Sequence, residues 1–160
     1  MFIELTLSPH CGAIFCFYAI LKLMSREIYL SVIIPAYNEE KRIGATLLAI
    51  DKYLSTQKYS YEIIVVSDGS SDKTVDVAQK YKQLVKNLEV IDNLENKGKG
   101  GVVRQGMLAA RGKYRVFMDA DNSTSLDHIE KVLPLFNEGY HIVIGSRDSK
   151  DAKGARQAVS

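Results

Sequence analysis

The sequence predicts an α/β domain built on a mostly parallel sheet with helices on both faces. Short apolar runs rich in Val and Ile recur from Leu30 onward, and each reads as a buried strand. Stretches with apolar residues at helical spacing separate these runs. Every run also ends in a polar cluster, as expected if the carboxyl ends of parallel strands share one rim.

Leu30 to Ala36 (LSVIIPA) is the first strand. Glu39 to Ser55 follows as a helix with Ile43, Leu47, Ile50 and Leu54 on one face. Tyr61 to Ser67 (YEIIVVS) is the second strand. Ser70 or Ser71 then caps a helix that runs to about Val85, with Val75, Ala78 and Tyr81 inward. Leu88 to Asp92 is the third strand, and Gly100 to Arg111 a helix with Val103, Met107 and Ala110 on one face. Tyr114 to Asp119 is the fourth strand. Ser125 to Glu138 is a helix that Pro134 bends or ends. Tyr140 to Gly145 (YHIVIG) is the fifth strand, and after Arg147 the composition turns polar.

The 160 residues suffice for one domain with a core, and 46% hydrophobic with 25% charged residues is the balance of a globular protein. A net charge of +2, with no basic stripe interleaved with aromatics, argues against nucleic acid as a partner. Cys11 and Cys16 form neither a zinc spacing nor a disulfide framework, which fits a reducing, cytoplasmic setting. His10, His128 and His141 are scattered rather than clustered like metal ligands.

Residues 1–28 stand apart as an apolar segment. Cys11 to Met24 is apolar except for Lys22, but a helix of about 14 residues spans only about 21 Å, short of the roughly 30 Å hydrocarbon core. It reads as a poor membrane anchor, an interfacial helix or a packing helix. As an anchor, with Lys22 and Arg26 on its flank, it would set the domain at the cytoplasmic face of a membrane. Residues 29–148 then form the folded domain and 149–160 a polar tail.

The sharpest chemical signal is Phe117-Met118-Asp119-Ala120-Asp121. Side chains at i and i+2 of a strand point the same way, so Asp119 and Asp121 can face one small volume. Two carboxylates that close repel unless a cation joins them. All-oxygen ligands suit Mg2+ or Mn2+, which share their remaining sites with water and substrate phosphates. The structural alternative is a turn rich in Asp and Asn. Asp68, ending the second run, can accept hydrogen bonds from a base or sugar, or cap the following helix. Gly98, Gly100 and Gly101 permit close backbone approach at a helix N-terminus, and Lys97 and Lys99 add charge there; the alternative is a solvated turn. Arg147 can grip a phosphate, or simply be solvated. The glycine loop lacks the Gly-Lys-Ser/Thr ending of a P-loop. Pro35-Ala36-Tyr37-Asn38-Glu39-Glu40 lacks the glycine triplet of a dinucleotide fingerprint, which removes most of the case for a nicotinamide or flavin enzyme.

Side by side, SVIIPAYNEEKRI, VVSDGSSDKTVDVA, NKGKGGVVRQGMLAARG, FMDADNSTS and VIGSRD resemble glycosyltransferase family 2, over about residues 30–148 and in the family's order. Within the family the NKGKGG loop, the DAD pair and GSR look most like the polyprenyl-phosphate (dolichyl-phosphate) glucosyltransferases, with the polyprenyl-phosphate mannose synthases close behind. The resemblance implies a GT-A, Rossmann-like fold and inverting, metal-dependent transfer of a hexose, with glucose favoured. The donor would be a nucleotide-diphosphate sugar, UDP-glucose ahead of GDP-mannose, and the acceptor a polyprenyl phosphate at a membrane surface. It also implies residue roles. Pro35, Ala36, Tyr37 and Glu39 would line the nucleotide pocket, and Asp68 would contact the base. Lys97 and Gly98 would sit near the nucleoside. Asp119 and Asp121 would hold Mg2+ or Mn2+ on the diphosphate, with Asp121 catalytic, and Arg147 would contact a phosphate.

Two departures stand out. Many relatives carry two acids where this chain has Ser67-Asp68, and mannose synthases often have Gln where this chain has Ser123. Family members also continue well past the GSR motif, so the chain is expected to be a C-terminally truncated piece. A glycan or other hydroxyl acceptor, and a donor-binding module without turnover, are the alternative readings.

Overall fold

Strands β1 (Leu30–Ala36), β2 (Tyr61–Asp68), β3 (Leu88–Asn93) and β4 (Tyr114–Phe117) form one sheet. The computed structural model describes residues 27–121 and 126–145. The N-terminal apolar segment up to residue 26 and the polar tail 149–160 lie outside the described residues.

The spatial order is β3-β2-β1-β4 and every pair is parallel. Parallel neighbours require crossovers, supplied by α1 (Ile43–Leu54), α2 (Thr74–Tyr81) and α3 (Gly98–Ala109); α4 (His128–Asn137) follows β4. Strand alternation divides the apolar side chains between two faces. Val32, Ile34, Ile63 and Val65 meet Ile43, Leu47, Ile50 and Leu54 of α1, together with Ala78 of α2 and Ile129 and Leu133 of α4. Ile33, Ile64 and Val66 face the other way, onto Val102 and Ala110 at α3. The expected two-faced α/β architecture is therefore present.

Several boundaries differ from the sequence reading, each for a local reason. The first helix starts at Ile43 rather than Glu39, because the amides of Glu39 and Glu40 donate to Thr74 Oγ1 (2.7 Å) and Asp72 Oδ2 (3.1 Å) on the neighbouring loop. Residues 39–42 form a turn instead, in which Arg42 and Ile43 both donate to the Glu39 carbonyl. Asp72, not Ser70 or Ser71, receives the Thr74 amide (2.9 Å) as α2 begins, and α2 stops at Tyr81 rather than near Val85. The third helix buries Val102 and Gly106, one position from the expected Val103 and Met107. A Cβ on Gly106 would lie 2.4 Å from Ile33 Cγ2, so the helix docks through its glycine, which a search for large apolar residues passes over. The last helix starts at His128 and continues through Pro134 to Asn137, because proline forfeits only one helical hydrogen bond and Ile129 and Leu133 still pack.

The fifth strand is not formed. Residues 140–145 carry no ladder, and Ile142 and Ile144 are exposed. An apolar run becomes a strand only when a neighbour takes its backbone N–H and C=O groups. The described sheet ends at β4 and pairs with nothing in this run.

Candidate functional site

The chain passes from β1 outward through β2 to β3, then returns to place β4 on the opposite side of β1. That reversal makes the carboxyl ends of β1 and β4 the switch point of the sheet, where open α/β sheets leave a crevice. The registry sets its depth. β4 pairs with β1 only from Leu30↔Tyr114 to Ile33↔Phe117, and one more bond runs from Met118 N to Ile33 O (3.0 Å). Ile33 turns its carbonyl toward β4, so Pro35, two residues on, turns its backbone edge to the same side, beyond the end of β4. A proline fits there because no ladder donor is required.

The two strands part into an open cleft of about 270 Å³. Pro35, Ala36, Tyr37 and Glu39 line it from the first loop, Asp68 from the second, Lys99 and Val102 from α3, and Asp119, Ala120 and Asp121 from the fourth. β4 ends at Phe117 rather than at Asp119 as the sequence predicts, because its pairing with β1 stops there, so the two acids face this one space from the loop beyond the strand, framed by the first two loops.

Each wall is held by identifiable contacts. The first two loops are stitched together: Ser71 N donates to Asn38 Oδ1 (2.9 Å), Asn38 N to Ser70 Oγ (3.2 Å) and Lys73 N to Glu40 Oε2 (3.1 Å). Asp72 accepts from Glu40 N, Thr74 N and the Thr74 hydroxyl. Its burial opposes ionisation, but these hydrogen bonds prevail and hold its carboxyl below the usual aspartate value. Asp68 is buried and takes the Lys97 amide on Oδ1 (2.6 Å), while its main-chain carbonyl takes Asn96 Nδ2 (3.1 Å). Asp68 thus ties the second strand to the glycine loop and does not cap α2. Gly69 has φ +69° and lies so close to this loop that a Cβ would meet Asn96 N at 2.9 Å. The fourth loop hangs on α1, where the buried Thr46 hydroxyl donates to the Ala120 carbonyl at 2.6 Å.

The structure brings together Pro35, Ala36, Tyr37, Glu39, Asp68, Asp119 and Asp121. Lys97 and Gly98 stand behind the rim: the Lys97 ammonium bonds Asn93 Oδ1 (2.9 Å), and Gly98 N donates to Asn96 Oδ1 (3.0 Å). Arg147 and Ser123 lie outside the described residues. Lys99 was singled out in sequence only as added charge. Here it lines the cleft, and its ammonium sits 2.5 Å from Asp119 Oδ1.

Glu39, Asp68, Asp119 and Asp121 border the cleft against the single cation Lys99, counting described residues. Glu39 is engaged by Arg42 through two bonds of 2.6 and 2.9 Å. A space so lined attracts cations and repels a bare polyanion. No group of three or more His, Cys, Asp or Glu suited to a metal occurs among the described residues. Asp119 and Asp121, one residue apart on the cleft's fourth loop, are hard oxygen ligands of the kind that fits a Mg2+-like ion completing its shell with water and phosphate oxygens.

The chain is similar to known proteins in sequence and in fold. A family model described as "Glycosyl transferase family 2" matches residues 31–159. The chain is 47% identical to a Drosophila melanogaster protein named dolichyl-phosphate beta-glucosyltransferase, over 68% of this chain and 35% of that one. Relatives of the same name in Dictyostelium discoideum and Saccharomyces cerevisiae are 40% and 39% identical, over 76% and 81% of this chain and 40% of each of theirs. The chain thus spans between 35% and 40% of the length of these curated relatives. Among solved structures, S. aureus TarS 1-349 superposes with a TM-score of 0.55 at 30% identity, covering 69% of this chain and 33% of that one. TarS 1-349 in complex with UDP-GlcNAc gives 0.54 at 27% identity, covering 81% of this chain and 37% of that one.

Proposed function

Because this chain belongs to glycosyltransferase family 2 and has its GT-A fold, we propose that its cleft binds a nucleotide-diphosphate sugar for inverting transfer of a hexose to a polyprenyl phosphate. One observation carries the reading: Asp119 and Asp121 share the switch-point cleft with Pro35, Ala36, Tyr37, Glu39 and Asp68. Glucose is favoured as the sugar and UDP as the nucleotide, because the relatives named above are glucosyltransferases and TarS was crystallised with a UDP-sugar.

On this reading the residues take the following roles. Tyr37 is half exposed beside Asp68, so its ring offers a stacking face for a base and the carboxylate an acceptor for the base's N–H groups. Lys97 and Gly98 fix the nucleoside end of the cleft through the Lys97 amide on Asp68. Asp119 and Asp121 are the residues that would hold Mg2+ or Mn2+. The ion, when bound, offsets negative charge on the departing nucleoside diphosphate. Arg147 contacts a phosphate of donor or acceptor. A phosphate acceptor is already anionic at neutral pH and attacks the sugar without a strong general base. Residues 1–28 are the part assigned to a membrane surface on its cytoplasmic side; among the described residues no helix is long and apolar enough to cross a membrane.

A second reading, donor binding without transfer by these residues alone, is favoured by their span of 35–40% of the relatives. The test is a melting-temperature panel of UDP- and GDP-sugars with and without Mn2+, since a ligand that binds only the folded state raises the midpoint. UDP-glucose with Mn2+ is expected to give the largest rise. No rise with any nucleoside diphosphate would overturn both readings. Binding without transfer or hydrolysis would select the second.

A further inference from the structure

Resting on the donor-site reading above, we propose that Lys99 is the exchangeable counter-cation of the cleft. Without donor its ammonium neutralises Asp119; when donor and divalent ion arrive together, it yields that carboxylate and turns to the donor's phosphates. The contact spans 20 residues, from the first turn of α3 to the end of β4, with Lys99 Nζ 2.5 Å from Asp119 Oδ1.

An ammonium in direct contact with Asp119 Oδ1 competes with a divalent ion for that carboxylate and repels it by charge. The pair is easily parted, because the Lys99 side chain is 60% exposed and that of Asp119 35% exposed, and exposed pairs are weak. A parted Lys99 remains fixed to α3, whose first turn borders the cleft, and its flexible stem keeps the charge within the space a pyrophosphate fills. It is also the single cation among the described lining residues, so nothing else described there can take that place. Metal alone must compete with Lys99 for Asp119 and meet its repulsion. Metal with pyrophosphate gives the ammonium a new partner. The two ligands are thereby coupled, each tightening the other.

The test measures Mn2+ binding alone by electron paramagnetic resonance, and UDP binding at saturating Mn2+ by calorimetry. The proteins are the parent chain, Lys99→Met and Lys99→Arg. Lys99 is exposed, so both variants are expected to melt within a degree or so of the parent without ligand, a surface substitution being nearly neutral. Lys99→Met should bind Mn2+ alone about three- to fivefold tighter and UDP with Mn2+ weaker by a similar factor, as expected for one exposed ion pair. Lys99→Arg should restore both values. Unchanged or weaker Mn2+ binding by Lys99→Met, in a protein whose parent form binds UDP in a metal-dependent way, overturns the role of Lys99 and leaves the donor site standing. A parent chain that binds neither Mn2+ nor UDP overturns both.

Discussion

The hydroxyl of Thr46, buried in α1, donates to the main-chain carbonyl of Ala120 across 2.6 Å and 74 residues of sequence. Ala120 lies between the two acids of the cleft, so a core helix anchors the loop that presents them. Thr46→Val keeps the volume and removes the donor. The expected cost is about 1–3 kcal/mol, because a buried carbonyl loses its partner. Metal-dependent UDP affinity should fall with it. Urea unfolding and calorimetry check the two effects, and a variant as stable and as tight-binding as the parent would show that the bond anchors nothing.

Gly106 and Gly100 sit on one helix in opposite circumstances. A Cβ at Gly106 meets Ile33 Cγ2 at 2.4 Å and Val66 Cγ2 at 3.1 Å, whereas at Gly100 nothing lies within 4 Å. Gly106→Ala should lose about 1–3 kcal/mol by overpacking, less the up to about 1 kcal/mol that alanine returns in helix propensity. Gly100→Ala should be neutral or stabilising by up to about 1 kcal/mol. Chemical denaturation of the pair reads the difference, and the opposite ranking would refute the docking of α3 through Gly106.

Acid should destabilise the protein through two carboxyls at opposite ends of the sheet. Glu62 is buried, which raises its pKa, but the Ser31 hydroxyl (2.6 Å), the Arg111 amide (2.7 Å) and the Arg111 guanidinium (2.7 Å) outweigh burial and hold it below its ordinary 4.5. Asp72 at the rim is lowered likewise, from an ordinary 3.8, by the Thr74 and Glu40 hydrogen bonds working against burial. A carboxyl depressed in the folded state binds fewer protons there than in the unfolded chain. Its stabilisation is therefore complete above the ordinary value and drains away as pH falls through the folded one. Melting temperature should decline progressively below about pH 4.5, and Glu62→Gln should be less stable at neutral pH with a flatter acid limb. An acid limb as steep in Glu62→Gln as in the parent would remove Glu62 as a cause.

The two central strands were legible because β2 is buried at every position and β1 at all but one, so each carries an apolar run, Val32 to Ala36 and Ile63 to Val66, with no solvent face. YHIVIG looked the same, yet strand formation depends on a partner's backbone, which apolarity does not encode. The Asp119–Asp121 pair could be read from two acids spaced one residue apart after an apolar run, although β4 ends at Phe117 and the acids reach the cleft from the loop beyond it rather than by strand alternation. Lys99 could not be matched to Asp119, since many lysines are equally charged and it takes the docking of α3 on the sheet, together with the place of β4 beside β1, to bring these two together. Thr46 gives no signal in the sequence, because its role exists only toward a loop far along the chain. The Gly106 seam was missed because apolar periodicity counts side chains that glycine does not have.

The central claim is that Asp119 and Asp121 carry a divalent ion that anchors a nucleoside diphosphate in this cleft. Calorimetric titration of UDP-glucose into the chain and into Asp121→Ala, each with Mn2+ and with chelator, tests it most directly. Saturable binding is expected in the parent only when Mn2+ is present, with at least about a tenfold loss on removing the Asp121 carboxylate, the scale on which lost charge-assisted contacts act. Equal binding with and without the ion, or an Asp121→Ala protein that binds like the parent, would contradict it.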